Sequence, residues 1–149
     1  MDMKAQRFGI EVEMTGITRE DAAKIAAAYF GTSSRYIGEG YDSYAALDSQ
    51  GRQWKFVSDA SITPQRKNGR RTEAASGAYQ TEMVSPICRW EDIEKVQELV
   101  RKLKAAGAIS NKSCGIHVHV DAANHNRQSL KNLISIMYSK EDLLFKALQ

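Results

Sequence analysis

At 149 residues, 42% hydrophobic and 26% charged, the chain has globular rather than disordered composition and is long enough for one buried core. No apolar run approaches a membrane span, the N-terminal residues lack a signal peptide's apolar core, and Cys88 and Cys114 have no C-x-x-C spacing. A cytoplasmic chain with reduced thiols is expected. A net charge of +3 admits an anionic ligand such as a nucleotide but does not by itself mark a nucleic-acid binder.

The first element, Arg7 to Met14, alternates with period two and predicts a strand with unlike faces. Phe8, Ile10, Val12 and Met14 take one face; Gly9, Glu11 and Glu13 take the other. Thr18 with Asp21 three residues on predicts a capped helix burying Ala22, Ile25, Ala26 and Tyr29. Tyr44 to Leu47 and Arg52 to Val57 flank Asp48-Ser49-Gln50-Gly51 and read as a hairpin. Thr63 to Gly77, with Pro64 and the cations Arg66, Lys67, Arg70 and Arg71, reads as a long loop. Tyr79 to Val84 reads as a strand stopped by Ser85-Pro86.

A helix is expected from Trp90 to Ala106, with a stripe of Ile93, Val96, Leu99, Val100 and Leu103 and a stop at Gly107. Gly115 to Asp121 reads as a strand, and Ser129 to Tyr138 and Glu141 to Leu148 as two helices. The expected fold is one α+β domain over residues 1–149: a mostly antiparallel, curved sheet with helices packed on one face.

Alternation also places the polar residues. Glu11 and Glu13 share a side, as do His117, His119 and Asp121, while Ile116, Val118 and Val120 face away. Glu82 lies in another strand, and Asp59 just past the strand ending near Val57. With each apolar face turned to the helices, these groups converge on the open face. Clustered carboxylates repel unless cations neutralise them, and an oxygen-rich set with a histidine suits Mg²⁺ or Mn²⁺. Separately, each signal has a plainer meaning: a solvated sheet face, a turn aspartate, a flexible basic loop.

Four motifs in order resemble the amidoligase family, relatives of glutamine synthetases and glutamate–cysteine ligases. They are F-G-I-E-V-E-M at Phe8 to Met14, D-A-S-I at Asp59 to Ile62, E-M-V-S-P-I at Glu82 to Ile87, and C-G-I-H-V-H-V-D at Cys114 to Asp121. The resemblance runs from about Arg7 onward and implies a glutamine-synthetase-like core with a divalent-metal site. It implies that Glu11, Glu13 and Glu82 are metal carboxylates with catalytic roles. His117 would then be a metal ligand, and His119 would face the nucleotide phosphates or the acyl substrate. Asp59 would be metal- or substrate-facing. Glu73 and Gln80 stand near by without an assigned role.

The implied reaction is ATP-dependent joining of a small-molecule or peptide carboxylate to an amine through an acyl phosphate. Such phosphoryl transfer asks for positioning and charge neutralisation. Arg66, Lys67, Arg70 and Arg71 are candidates for a lid over the phosphates. Two alternatives stay open. One is a zinc hydrolase using His117 and His119; the other is a non-enzymatic nucleic-acid-binding module built on the Arg66–Arg71 loop. The absence of a stop signal after Leu148 raises the expectation that the family's C-terminal part is missing, leaving little or no ligase turnover. Exposed Leu143, Leu144 and Leu148 would then favour homo-oligomers through the C-terminal helices.

Overall fold

The computed structural model describes residues 3–38 and 40–147, so Leu148 lies outside the described residues. Its centre is strand β1 (Phe8–Met14). Helix α1 (Arg19–Phe30) follows, then strands β2 (Ser34–Gly38), β3 (Ser43–Leu47) and β4 (Gln53–Val57). A hairpin of β5 (Gln65–Asn68) and β6 (Arg71–Ala74) leads to β7 (Thr81–Val84). Helix α2 (Ile93–Ala105), strand β8 (Ile116–Val120) and helix α3 (Arg127–Ala147) complete the order. Six strands form one sheet in the order β2-β3-β4-β7-β1-β8, and β5-β6 form a second, two-stranded one. Every strand pair is antiparallel. The α+β expectation therefore holds.

The core lies between this sheet and α1 and α2. Val12 and Met14 of β1, Trp54 and Phe56 of β4 and Met83 of β7 are buried on one face. Alanines 22, 23, 26 and 27 let α1 approach that face closely, and Val96, Leu99 and Leu103 bring in α2. The Thr18 hydroxyl accepts the Asp21 backbone N–H and donates to the Asp21 carboxylate, capping α1 as its spacing predicts. Ile25 and Tyr29, expected inside, are only partly buried against the core.

Gly16 alone among the glycines combines a positive φ with a steric clash at the Cβ position. Its φ is +80°, and a Cβ there would lie 2.5 Å from the Gly107 carbonyl oxygen. Both strain and clash act where Thr15 pairs with Ile109 beyond the end of β1. Gly16→Ala is expected to lower stability by about 3 kcal/mol, read as a shifted urea midpoint. A parental midpoint would show that this junction yields freely.

Several expectations need correction. The loop from Thr63 to Gly77 contains the β5–β6 hairpin: Gly69, at φ 60°, helps make the turn, and Arg66 bonds Glu73 across the strands. Both faces of these strands are polar, so no hydrophobic alternation announced them. Strand β2 went unseen because none of its residues is buried and its sequence, Ser-Arg-Tyr-Ile-Gly, has no alternating apolar face. The strand expected from Tyr79 begins at Thr81, after a 3₁₀ turn at Gly77–Tyr79, and another at Trp90–Asp92 precedes α2. The two C-terminal helices are one, α3, because nothing in Ser139-Lys140 breaks the backbone ladder. Finally, Ile116, Val118 and Val120 do face the helical side, but no helix among the described residues covers them. They remain 66%, 60% and 56% exposed.

Candidate functional site

The open face of the sheet gathers the polar residues by register. Glu13 stands opposite Glu82 in the β1–β7 pair, and Glu11 opposite His117 in the β1–β8 pair. Directly paired residues project on the same side, so two ladders fix four of the groups. Glu82 in turn pairs with Val57 of β4, two residues before Asp59. The Asp59 turn is held locally: its Oδ1 accepts the Ser61 N–H at 2.7 Å. The Gln80 amide donates to the Ile62 carbonyl at 2.9 Å, tying this turn to the entry of β7. That gives the D-A-S spacing, and Gln80, a physical role.

Distances within the cluster are short. His117 Nδ1 lies 3.2 Å from Glu11 Oε2, and His119 Nε2 lies 3.0 Å from the same oxygen. His117 Nε2 is 3.9 Å from Glu13 Oε1. Glu13 is almost fully buried, and its Oε2 accepts the Gly115 backbone N–H at 2.6 Å. Gly115 is a contributor the sequence could not reveal, because it acts through its amide. Two sets of three residues, Glu11/Glu82/His117 and Glu13/Asp59/Glu82, each offer one ligand atom per residue within 4.8 Å of one another. Glu82 belongs to both.

The electrostatics follow. Glu82 is pushed up to about 7 by burial first, then by the negative charges of Glu11, Asp59 and Glu13. Glu11 is held below its ordinary value, chiefly by the hydrogen bond from His119 and also by that from His117. Asp59 is lowered by the Ser61 backbone N–H. His117 is raised by its bond to Glu11. A shared carboxylate that resists ionisation beside three others is the behaviour of a site needing positive charge. Its oxygen-rich donors with one imidazole fit Mg²⁺ or Mn²⁺. Neither set includes both histidines, the arrangement a zinc hydrolase would need.

The remaining sequence candidates lie elsewhere. Arg66 is engaged with Glu73 on the hairpin, and Asn68 also donates to Glu73. Lys67 lines a groove bordered by α2 and β8. Arg70 and Arg71 are exposed at and beside the hairpin turn. Asp121 pairs with Arg7, joining the strand ends rather than entering the cluster.

An antiparallel sheet backed by helices, with a carboxylate–imidazole cluster on its free face, is the setting in which family membership can be read. The family model described as "Putative amidoligase enzyme" matches residues 4–149, and the chain belongs to that family. This puts the protein with amidoligases, enzymes of the ligase class. Comparison with curated proteins and with solved structures gave no match. No helix among the described residues is long and apolar enough to cross a membrane.

Proposed function

We propose that the protein is an ATP-dependent carboxylate–amine ligase whose reaction centre is the cluster of Glu11, Glu13, Asp59, Glu82, His117 and His119. The observation that carries this reading is the convergence of four carboxylates and two imidazoles from β1, β7, β8 and the Asp59 turn. Glu11, Glu82 and His117 would hold one divalent ion, and Glu13, Asp59 and Glu82 a second. When bound, Mg²⁺ or Mn²⁺ would neutralise charge on the nucleotide phosphates and on the acceptor carboxylate.

The balanced chemistry has two steps. The substrate carboxylate attacks the ATP γ-phosphorus, giving an acyl phosphate and ADP. The amine then attacks the acyl carbon, phosphate leaves, and one proton is released as the amide forms. His119, well exposed beside Glu11, would donate to a phosphate or acyl oxygen of the bound reactants. With Glu82 occupied as a ligand common to both ions, the proton the amine loses would pass to the departing phosphate or to solvent. Lys67, Arg70 and Arg71 have no ion pair across the hairpin among the described residues, and Arg70 and Arg71, at and beside its turn, are candidates to cover the phosphates.

A screen of acid and amine pairs with ATP and Mg²⁺, read as ADP release, tests this function. ADP release that needs both an acid and an amine is the expected result. Tightly held zinc with nucleotide-independent hydrolysis would instead establish the hydrolase reading. In the same assay, Glu13→Gln is expected to lower turnover by roughly 100-fold or more while leaving the far-UV spectrum parental. Unchanged turnover would remove Glu13 from the centre.

A further inference from the structure

The helical side of the sheet is unfinished at one edge. β8 is the outermost strand beside β1, and its Ile116, Val118 and Val120 lie opposite Val12, Ile10 and Phe8. Over β1 that face is buried at Val12 and partly covered at Phe8 and Ile10; over β8 it is bare. A groove of about 680 Å³ runs there, with Val100, Leu103, Ile109 and Ile116 among its apolar lining and Lys67, Lys104 and Glu13 as its charged lining, the Glu13 carboxylate already accepting the Gly115 N–H.

The same chain carries an unpartnered helix. α3 buries none of its residues. Leu133, Ile134, Met137, Leu144 and Phe145 line one side of it together with Glu141. Positions 130, 134, 137, 141 and 144 repeat with alternating steps of four and three, which makes a packing seam. Such a helix in water is unstable for want of a surface.

We propose that α3 of one copy docks in the α2–β8 groove of a second copy, and reciprocally, forming a two-fold dimer. Two features favour this occupant. Charge is complementary: Glu141 sits within the apolar side of α3, whereas Lys67 and Lys104 line the groove, and none of the three has an ion-pair partner among the described residues. Area is sufficient. The exposed apolar side chains of β8 and α3 together present on the order of 1,000 Å² per chain, against the ~800 Å² per partner of a standard interface. Each chain supplies one helix and one groove, so a closed dimer satisfies both at once. The opposite face of β8 carries His117 and His119, so docking also braces the strand that presents them.

Sedimentation equilibrium of the parent chain is expected to show a monomer–dimer equilibrium, with dimer dominant at roughly 100 µM. Met137→Glu on α3 and Val118→Glu on β8 are each expected to give monomers whose core stays folded, read as a parental near-UV spectrum from buried Trp54, while the far-UV helical signal falls as α3 loses its surface; both substituted side chains are exposed within one chain. Glu141→Lys is expected to weaken the dimer about tenfold, and adding Lys104→Glu to restore it. A parent that stays monomeric, its α3 closed on its own groove or standing free, would overturn the proposal. So would a dimer that Val118→Glu leaves intact, because the helices would then be pairing with each other. These outcomes are independent of ligase activity.

Discussion

At pH 8 without divalent ions, Glu82→Gln is expected to be more stable than the parent while losing Mg²⁺- and ATP-dependent turnover. Glu82 holds its proton up to about 7 in the folded chain, against an ordinary value of 4.5. A group with a raised folded value stabilises fully below its unfolded value, and that contribution is lost as pH rises through the folded one. Above pH 7 the parent must therefore carry an unfavourable Glu82 charge, costing about 2 kcal/mol once solvent screening at this partly open site is allowed for. His117, also raised, acts in the same direction. Glu11 and Asp59, being lowered, do the opposite: their contribution is present at neutral pH and lost as pH falls through the acid range. Glutamine cannot ionise, so the variant's melting temperature should fall less than the parent's between pH 5 and 8. Millimolar Mg²⁺ should raise the parent's melting temperature at pH 8 and leave the variant nearly unmoved. With Glu82 common to both prospective metal sets, turnover should drop by roughly 1,000-fold. Melting curves with parallel pH dependence, or parental turnover, would contradict the assignment.

The largest loss of stability is expected far from that cluster, from Asp92→Ala. Asp92 is buried at the entry to α2, and its two oxygens accept from Arg52 Nη1 and Nη2, each at 2.8 Å. It also accepts the Arg89 N–H at 3.0 Å and Lys95 Nζ at 3.1 Å. Arg52 extends the network to Asp48, which accepts the Trp54 indole N–H at 3.2 Å in the core. The Arg52 bonds hold the Asp92 carboxyl far below the usual range. Truncation removes both Arg52 bonds to this carboxylate, leaving Asp48 as its remaining ion-pair partner, and takes the acceptor from the Arg89 N–H in the turn before α2, a loss of about 3–5 kcal/mol. Urea denaturation of the metal-free chain measures it. Glu73→Ala, which removes an ion pair on the exposed hairpin, should leave the midpoint near parental in the same experiment. If the two variants shifted it alike, burial would not be what gives the Asp92 network its weight.

The sequence by itself determined which face each candidate occupies. Alternation put Glu11 and Glu13 on one side of β1, and His117 and His119 on one side of β8, because strand periodicity is a local property of the backbone. It likewise announced α1 through its cap and α2 through its stripe. Only the tertiary structure decided what those faces meet. The β1–β7 and β1–β8 registers set residues 69 positions apart (Glu13 and Glu82) and 106 apart (Glu11 and His117) side by side, and no local signal encodes which strands become neighbours. Burial shared among strands, not the identity of Glu82, raises its proton affinity. The β5–β6 hairpin stayed hidden because its pairing is polar on both sides, and the Asp48–Arg52–Asp92 network because its charges look like surface until packing encloses them. The bare back of β8 was invisible for the converse reason: Ile116, Val118 and Val120 read as core in sequence, and only the placement of α3 clear of the sheet leaves them in solvent.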